Sequence, residues 1–217
     1  GLPKLVQNEQ ALVDEYKMVT EELIATRALI SPDTLALSET FLPENLESTL
    51  REALEETLTQ FGNYPTGGRV RARRVRPMGL LMQMGASGIY IPFVGEGHID
   101  GALPAVSIPA TMTHEMAHGY GFGDEGTCNF WAYLTCMRHE DPMIRYSGLL
   151  GYWRYLASQY RRQDQEGNAE TRKVLPRSII NDLLSIREVL RKYPGFFPKF
   201  SNKAYNAYLK QQGIKEG

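Results

Sequence analysis

The segment at residues 113–136, THEMAHGYGFGDEGTCNFWAYLTC, constrains this chain more than any other. It begins with His114, Glu115 and His118 in the pattern His-Glu-x-x-His. On an α-helix, positions i and i+4 share a face, so the two imidazoles can bind one Zn²⁺ with Glu115 beside it. The pattern predicts a metal-binding helix in which Glu115 is the general base of a hydrolase.

A catalytic zinc site needs a third protein ligand, and two acids follow the motif. The glycines within residues 119–123 are expected to end the helix and return the chain towards the metal. Asp124 completes HExxHxxGxxD, an acid variant of the metzincin signature. Glu125 instead precedes Asn129 by four residues, which is the gluzincin arrangement, although gluzincins usually have Asp at that fourth position. The second spacing favours Glu125 as the ligand, with Asn129 holding a ligating histidine. Asp124 remains the alternative third ligand, and it also suits the cap of the next helix.

Other side chains have a catalytic interpretation and a structural one. For the two histidines and Glu115, the structural alternative is a pair of satisfied core histidines and a surface carboxylate, but the glycines and acids that follow favour the metal. Tyr146, and next Tyr120, are candidates for stabilising an oxyanion, with ordinary packing as the alternative. His98 and His139 are expected at the surface or in a hairpin, without a metal.

The hydrophobic pattern predicts one α+β domain over residues 1–217. Two amphipathic helices at 5–30 and 43–61 are expected to form an N-terminal helical lobe within residues 1–62. Residues 63–109 are rich in glycine and proline, and they predict a small mixed or antiparallel sheet because its connections are short. Residues 110–217 carry the metal-site helices and a C-terminal helical region. Strands are expected at 69–75 and 87–93, with one or two more within 98–108. Later helices are expected at 110–119, 125–139, 144–162, 174–192 and 201–211.

Composition excludes several classes of protein. The 217 residues carry a formal net charge of −1, which argues against a nucleic acid as partner. No apolar run is long enough to span a bilayer.

The arginines within 69–76 are expected to protect the edge of a strand from pairing with another chain, with binding of an anionic partner as the alternative. Cys128 and Cys136 lie eight residues apart on one predicted helix, roughly 12 Å, which exceeds the roughly 7 Å limit for a disulfide. They are therefore predicted to be free, buried thiols.

The chain resembles a family of bacterial membrane-anchored proteins, catalogued as a domain of unknown function within the zincin-like metallopeptidase superfamily. The resemblance rests on GIYIPFVGEGHID (88–100), IPATMTHEMAHGYGF (108–122), NFWAYLTC (129–136), IRYSG (144–148) and AYNAYLKQQG (204–213). Where the family tends to have E-x-E-A-N-F, this chain keeps Glu125 and Asn129 but has Thr127 for the second glutamate.

The resemblance implies a zincin-like fold, in which a small sheet covers the active-site helix beside a helical lobe. It also implies a membrane tether outside these 217 residues and an extracytoplasmic location in the bacterial cell envelope. The expected function is that of a zinc metallopeptidase acting on a peptide or protein. From the residues themselves, Ile89–Phe93 is expected to be an edge strand that pairs with an extended peptide substrate. The alternative is a catalytically inactive zincin-like domain that acts as a binding or structural module.

Overall fold

Helices dominate the computed structural model, which describes residues 9–64 and 69–195. Within these residues it has eight α-helices and three short strands, so the chain is an α+β protein with a small sheet. The helices are α1 Glu9–Ile30, α2 Leu46–Thr57, α3 Leu80–Gln83, α4 Ile108–Gly119, α5 Glu125–Arg138, α6 Pro142–Gln163, α7 Gln165–Thr171 and α8 Arg177–Lys192. The strands are β1 Arg71–Val75, β2 Gly88–Ile91 and β3 Glu96–Asp100.

Most of the predicted helices are confirmed with shifted ends, whereas α3 and α7 were not predicted. Helix α6 begins at Pro142 because Asp141 caps it, accepting hydrogen bonds from the backbone N–H groups of Met143 and Ile144. The predicted helix at 201–211 lies outside the described residues. No helix within the described ranges is long and apolar enough to cross a membrane.

The sheet is mixed, with strand order β1-β3-β2. Strand β2 pairs antiparallel with β3, as the short turn between them requires, but β1 pairs parallel with β3. Of the two forms predicted, mixed or antiparallel, the sheet therefore has the mixed one. The reason is that α3 and β2 both lie between β1 and β3 in the sequence, which gives the chain enough length for a parallel return.

A buried carboxylate fixes the end of the central strand. Asp100 is fully buried and accepts hydrogen bonds from the backbone N–H groups of Gly79, Leu81, Met82 and Ala102, at 2.7–3.1 Å. These bonds tie α3 and the following turn to β3. The predicted fourth strand does not form, because the chain after this turn enters a 3₁₀ helix at Ala105–Ser107 that leads directly into α4.

Two hydrophobic clusters form the core. The first joins α1, α6 and α8, and its largest buried side chains include Tyr16, Leu23, Tyr146 and Trp153. The second joins α2, the sheet, α4 and α5. Helices α1 and α2 thus contribute to different clusters, which differs from the expected N-terminal lobe. The consequence for the site is that the α4 helix lies between the sheet and α5 in the second cluster.

The first cluster encloses an ion pair. The Arg27 Nε atom donates to Asp182 Oδ2 at 2.7 Å, and both side chains are almost fully buried. The other Asp182 oxygen accepts from the Leu37 backbone N–H, and the Tyr146 hydroxyl donates to Oδ2 at 2.9 Å. This network connects α1, α6 and α8 with the loop that follows α1.

Asp182→Ala is expected to lower the free energy of unfolding by about 3–5 kcal/mol, because it leaves the Arg27 guanidinium buried without its counter-charge. Denaturant unfolding followed by circular dichroism measures this loss. Tyr146→Phe is the milder control, with an expected loss of about 1.5–3 kcal/mol for one hydrogen bond to a charged group. An Asp182→Ala variant as stable as the wild type would show that the pair contributes little.

Candidate metal centre

Helix α4 carries the motif, and a glycine turn redirects the chain after it. Gly121 has φ of +99°, a conformation that favours glycine. Its N–H donates to the His118 carbonyl at 3.0 Å, and the next N–H donates to the Ala117 carbonyl at 3.3 Å. These bonds close the end of α4, and the reversed chain then starts α5 alongside it.

The turn brings one acid to both histidines. His114 Nε2 and His118 Nε2 are 3.2 Å apart. Glu125 Oε2 lies 3.1 Å from His114 Nε2, and Glu125 Oε1 lies 3.5 Å from His118 Nε2. One ligand atom from each of these residues lies within 4.8 Å of the others, in an arrangement that fits a metal ion.

These spacings suit zinc. Ligand atoms placed tetrahedrally at about 2.0–2.1 Å from Zn²⁺ would be roughly 3.3 Å from one another. The 3.2 Å between the two histidine nitrogens and the 3.1 and 3.5 Å from them to the two different Glu125 oxygens are close to this value. Two imidazole nitrogens and one carboxylate oxygen are also a donor set of catalytic zinc sites. The histidine side chains are 14% and 13% exposed and that of Glu125 is 57% exposed, so the site opens to solvent on the Glu125 side. The residues present fit a zinc ion.

The other acid has a different role. The Asp124 carboxylate accepts from the Thr127 backbone N–H at 2.7 Å and from its hydroxyl at 2.8 Å, which caps α5. These hydrogen bonds lower the pKa of Asp124. The structure therefore brings Glu125 to the histidines and directs the Asp124 carboxylate to the helix start.

The ring of His118 is held from its far side. Its Nδ1 atom lies 2.8 Å from the Phe122 carbonyl oxygen, to which an Nδ1–H donates. That tautomer leaves the Nε2 lone pair free for a metal. The buried Cys128 Sγ atom lies 3.3 Å from the same nitrogen. Cys128 and Cys136 are both free and buried, as predicted, and Cys128 in addition supports the site.

Asn129 does not take the predicted supporting role. Its side chain is exposed and makes no hydrogen bond to any residue in the described ranges. It lies on the solvent side of α5, so spacing alone was not enough to bring it to a histidine. The Phe122 carbonyl and Cys128 occupy that role for His118.

The prediction for Tyr146 is also corrected. Its hydroxyl is fully buried in the first core cluster and donates to Asp182, and burial raises its pKa well above the usual range. It is therefore a structural residue and is not available to an oxyanion at α4. Tyr120 is engaged as well, because its hydroxyl donates to Glu55 Oε1.

Glu115 lies under the sheet. Its side chain is nearly buried, with 5% of the residue exposed. A Cβ atom on Gly97 would lie 2.8 Å from the Glu115 Cβ atom, and one on Gly88 would collide with its carboxylate. Two strand positions without side chains thus let β2 and β3 approach the Glu115 side of α4 closely. Sequence reasoning missed this contact, although Gly88 inside a predicted strand was a signal for close backbone approach.

The electrostatics of the site follow from burial and proximity. Burial raises the pKa of Glu115 from 4.5 to about 7, although the two nearby histidines act in the opposite direction. Hydrogen bonds from His114 and His118 hold the pKa of Glu125 well below its usual range. Burial lowers the pKa of His118, but its contacts with Cys128 and Glu125 outweigh this effect and raise the pKa overall.

The remaining histidines lie away from this group. His139 Nδ1 accepts from the Asp141 backbone N–H at 2.9 Å, at the start of α6. His98 is on β3, with its Nε2 atom 4.0 Å from Glu96 Oε2. Within the described residues, neither belongs to a cluster of metal-ligating side chains.

Comparison with known proteins identifies the family of the chain. No curated protein and no solved structure matches the chain. A family model described as "Protein of unknown function (DUF3810)" matches residues 1–217. The chain therefore belongs to the DUF3810 family.

Proposed function

We propose that this chain is a zinc-dependent metallopeptidase with a zincin-like active site. The observation that carries the proposal is the convergence of His114 Nε2, His118 Nε2 and a Glu125 oxygen, with spacings that suit one tetrahedral ion. The nearly buried Glu115 lies on the same helix and next to both ligating histidines. This combination supports hydrolysis more than simple metal storage, because storage has no use for a second carboxylate that is not a ligand.

The residues of the chain would divide the reaction among them. His114, His118 and Glu125 would hold the ion, which when bound lowers the pKa of a water and polarises a carbonyl. Glu115 would accept the proton of the attacking water and deliver it to the leaving amine. Its raised pKa fits this exchange, since a group that titrates near neutrality both accepts and releases a proton readily.

The sheet would position the substrate. Among the described strands, β2 pairs only with β3, so its other edge has unpaired backbone groups. An extended peptide could add to this edge through backbone hydrogen bonds. Gly88 of β2 is the residue that approaches the Glu115 carboxylate, so a peptide bound along β2 would lie near the proposed general base.

A non-catalytic module that retains the ion for stability is the competing function. It would use the same three ligands, so metal binding alone does not separate the two. Hydrolysis of peptides does separate them, and the Glu115→Gln comparison in the Discussion is designed for that purpose.

The wild-type chain is expected to bind one Zn²⁺, with an affinity that rises with pH. Imidazoles bind metal only when neutral, and the raised pKa of His118 means that a proton competes for its nitrogen. Competition with a chromophoric chelator at several pH values measures the affinity, and elemental analysis gives the stoichiometry.

His118→Ala should lose this binding, whereas His98→Ala is the matched control and should keep it. Equal zinc binding by these two variants, or no binding by the wild type at micromolar zinc, would overturn the proposed metal centre.

A further inference from the structure

A cavity of about 130 Å³ is lined by residues from the start of α4, from α6 and from α8. Its floor is apolar and is formed by buried side chains that include Met82, Leu103, Leu150 and Ile186. Its lining also includes several polar residues. The hydroxyl-bearing and charged residues there are Ser87, Ser107, Thr111, Ser147 and Arg154.

Two residues that line the cavity, Ser87 and Thr111, belong to the segments that surround Glu115. Thr111 lies on α4 one turn before Glu115, so the two residues are on the same face of the helix. Ser87 directly precedes Gly88, which approaches the Glu115 carboxylate. A peptide bound along β2 with its scissile bond at Glu115 would therefore have a neighbouring residue within reach of the cavity.

The cavity carries a positive charge without a protein partner. Arg154 projects from α6 and is exposed, and it makes no ion pair or hydrogen bond with any residue in the described ranges. By contrast, Arg27 and Arg74 each bind a carboxylate at 2.7 Å. Ser147 Oγ accepts from the Ala110 backbone N–H at 3.1 Å, which leaves its own proton available to an acceptor in the cavity.

We infer that this cavity is a substrate subsite that receives a carboxylate of the peptide, bound by Arg154 and the surrounding hydroxyl groups. The guanidinium fork matches a carboxylate with two parallel hydrogen bonds, and the apolar floor suits the methylene groups that carry it. That the bound peptide is a substrate rests on the proposed peptidase function. The carboxylate is either an acidic side chain or the C-terminus of the peptide.

Two pairs of blocked dipeptides test the subsite by calorimetric or NMR titration. N-acetyl-Ala-Glu-amide against N-acetyl-Ala-Gln-amide reports a side-chain carboxylate. N-acetyl-Ala-Ala with a free C-terminus against its amide reports a terminal carboxylate. Both pairs are titrated into the full chain with zinc and after zinc removal, because the zinc-free arm excludes coordination of the carboxylate by the metal.

The acidic member of one pair is expected to bind at least about tenfold more tightly than its neutral partner, as for a hydrogen bond between charged groups. Arg154→Gln should abolish this preference, and Arg154→Lys should retain part of it because the charge remains without the fork. Arg161→Gln removes the same charge from an exposed position on the same helix and should leave the preference unchanged.

Equal binding of acidic and neutral peptides by the wild type would overturn the subsite, as would a full preference in Arg154→Gln. These titrations need no turnover, so their result is separate from that of the peptidase proposal. A preference that depends on Arg154 in a chain without hydrolytic activity would support the subsite and contradict the peptidase.

Discussion

Glu125→Ala is expected to weaken zinc binding by more than about a hundredfold, exceeding the 10–100-fold typical of losing a group that only orients a ligand. The reason is that Glu125 is the sole carboxylate in the described cluster with both histidines, so its loss leaves two ligands. Chelator competition at fixed pH measures the change directly. The zinc affinity of Glu125→Gln should fall between those of the wild type and Glu125→Ala, since a neutral amide oxygen is a poorer ligand than a carboxylate.

Asp124→Ala is the matched control, because it removes an acid at the adjacent position. Its carboxylate caps α5 through Thr127, so the variant should lose some helix stability while zinc affinity remains close to that of the wild type. Asn129→Ala should also leave zinc affinity unchanged, since its exposed side chain makes no contact with a ligand. A large loss of zinc in Asp124→Ala, with little change in Glu125→Ala, would assign the third ligand to Asp124 instead.

Local spacing explains which parts of the site could be predicted. His114, His118 and Glu115 are set by the geometry of one helix, so their sequence positions nearly determine their relative placement. The choice of Glu125 over Asp124 needed one more assumption, that the second helix begins at the residue after its cap. The structure has that boundary, and Asp124 is the capping residue.

Contacts between segments that are far apart in the chain could not be predicted from the sequence. The partner of Tyr146 is Asp182, on another helix, and nothing in the IRYS segment indicates that its hydroxyl is already used. The parallel pairing of β1 with β3 depends on a four-residue helix and a strand that are both too short to give a clear period. The contact between the Phe122 carbonyl and His118 could not be predicted either. Every residue has a backbone carbonyl, so the sequence does not show which one will bind a side chain.

Glu115→Gln is expected to lower peptide hydrolysis by roughly a hundred- to ten-thousandfold, the usual contribution of a general acid–base group. The amide has nearly the volume of the carboxylate and fits the space below Gly88 and Gly97, but it cannot accept the proton of water. Zinc affinity should be retained, since Glu115 is not a ligand. Cleavage of a quenched fluorescent peptide library by zinc-loaded protein measures the rate, with chelator-treated protein as the background.

Stability separates this chemical effect from a folding defect. Burial raises the pKa of Glu115 to about 7, so its ionisation in the folded metal-free chain is unfavourable. The stability that the protonated carboxyl group contributes below pH 4.5 is therefore lost as pH rises towards 7. Glutamine does not ionise, so metal-free Glu115→Gln should unfold at a temperature no lower than that of the wild type. The difference in unfolding temperature should increase over that pH range.

Glu52→Gln changes an exposed carboxylate on α2 and should alter neither hydrolysis nor stability. Hydrolysis that persists in zinc-loaded Glu115→Gln would remove Glu115 from the mechanism, whereas hydrolysis absent from the wild type as well would favour the non-catalytic module.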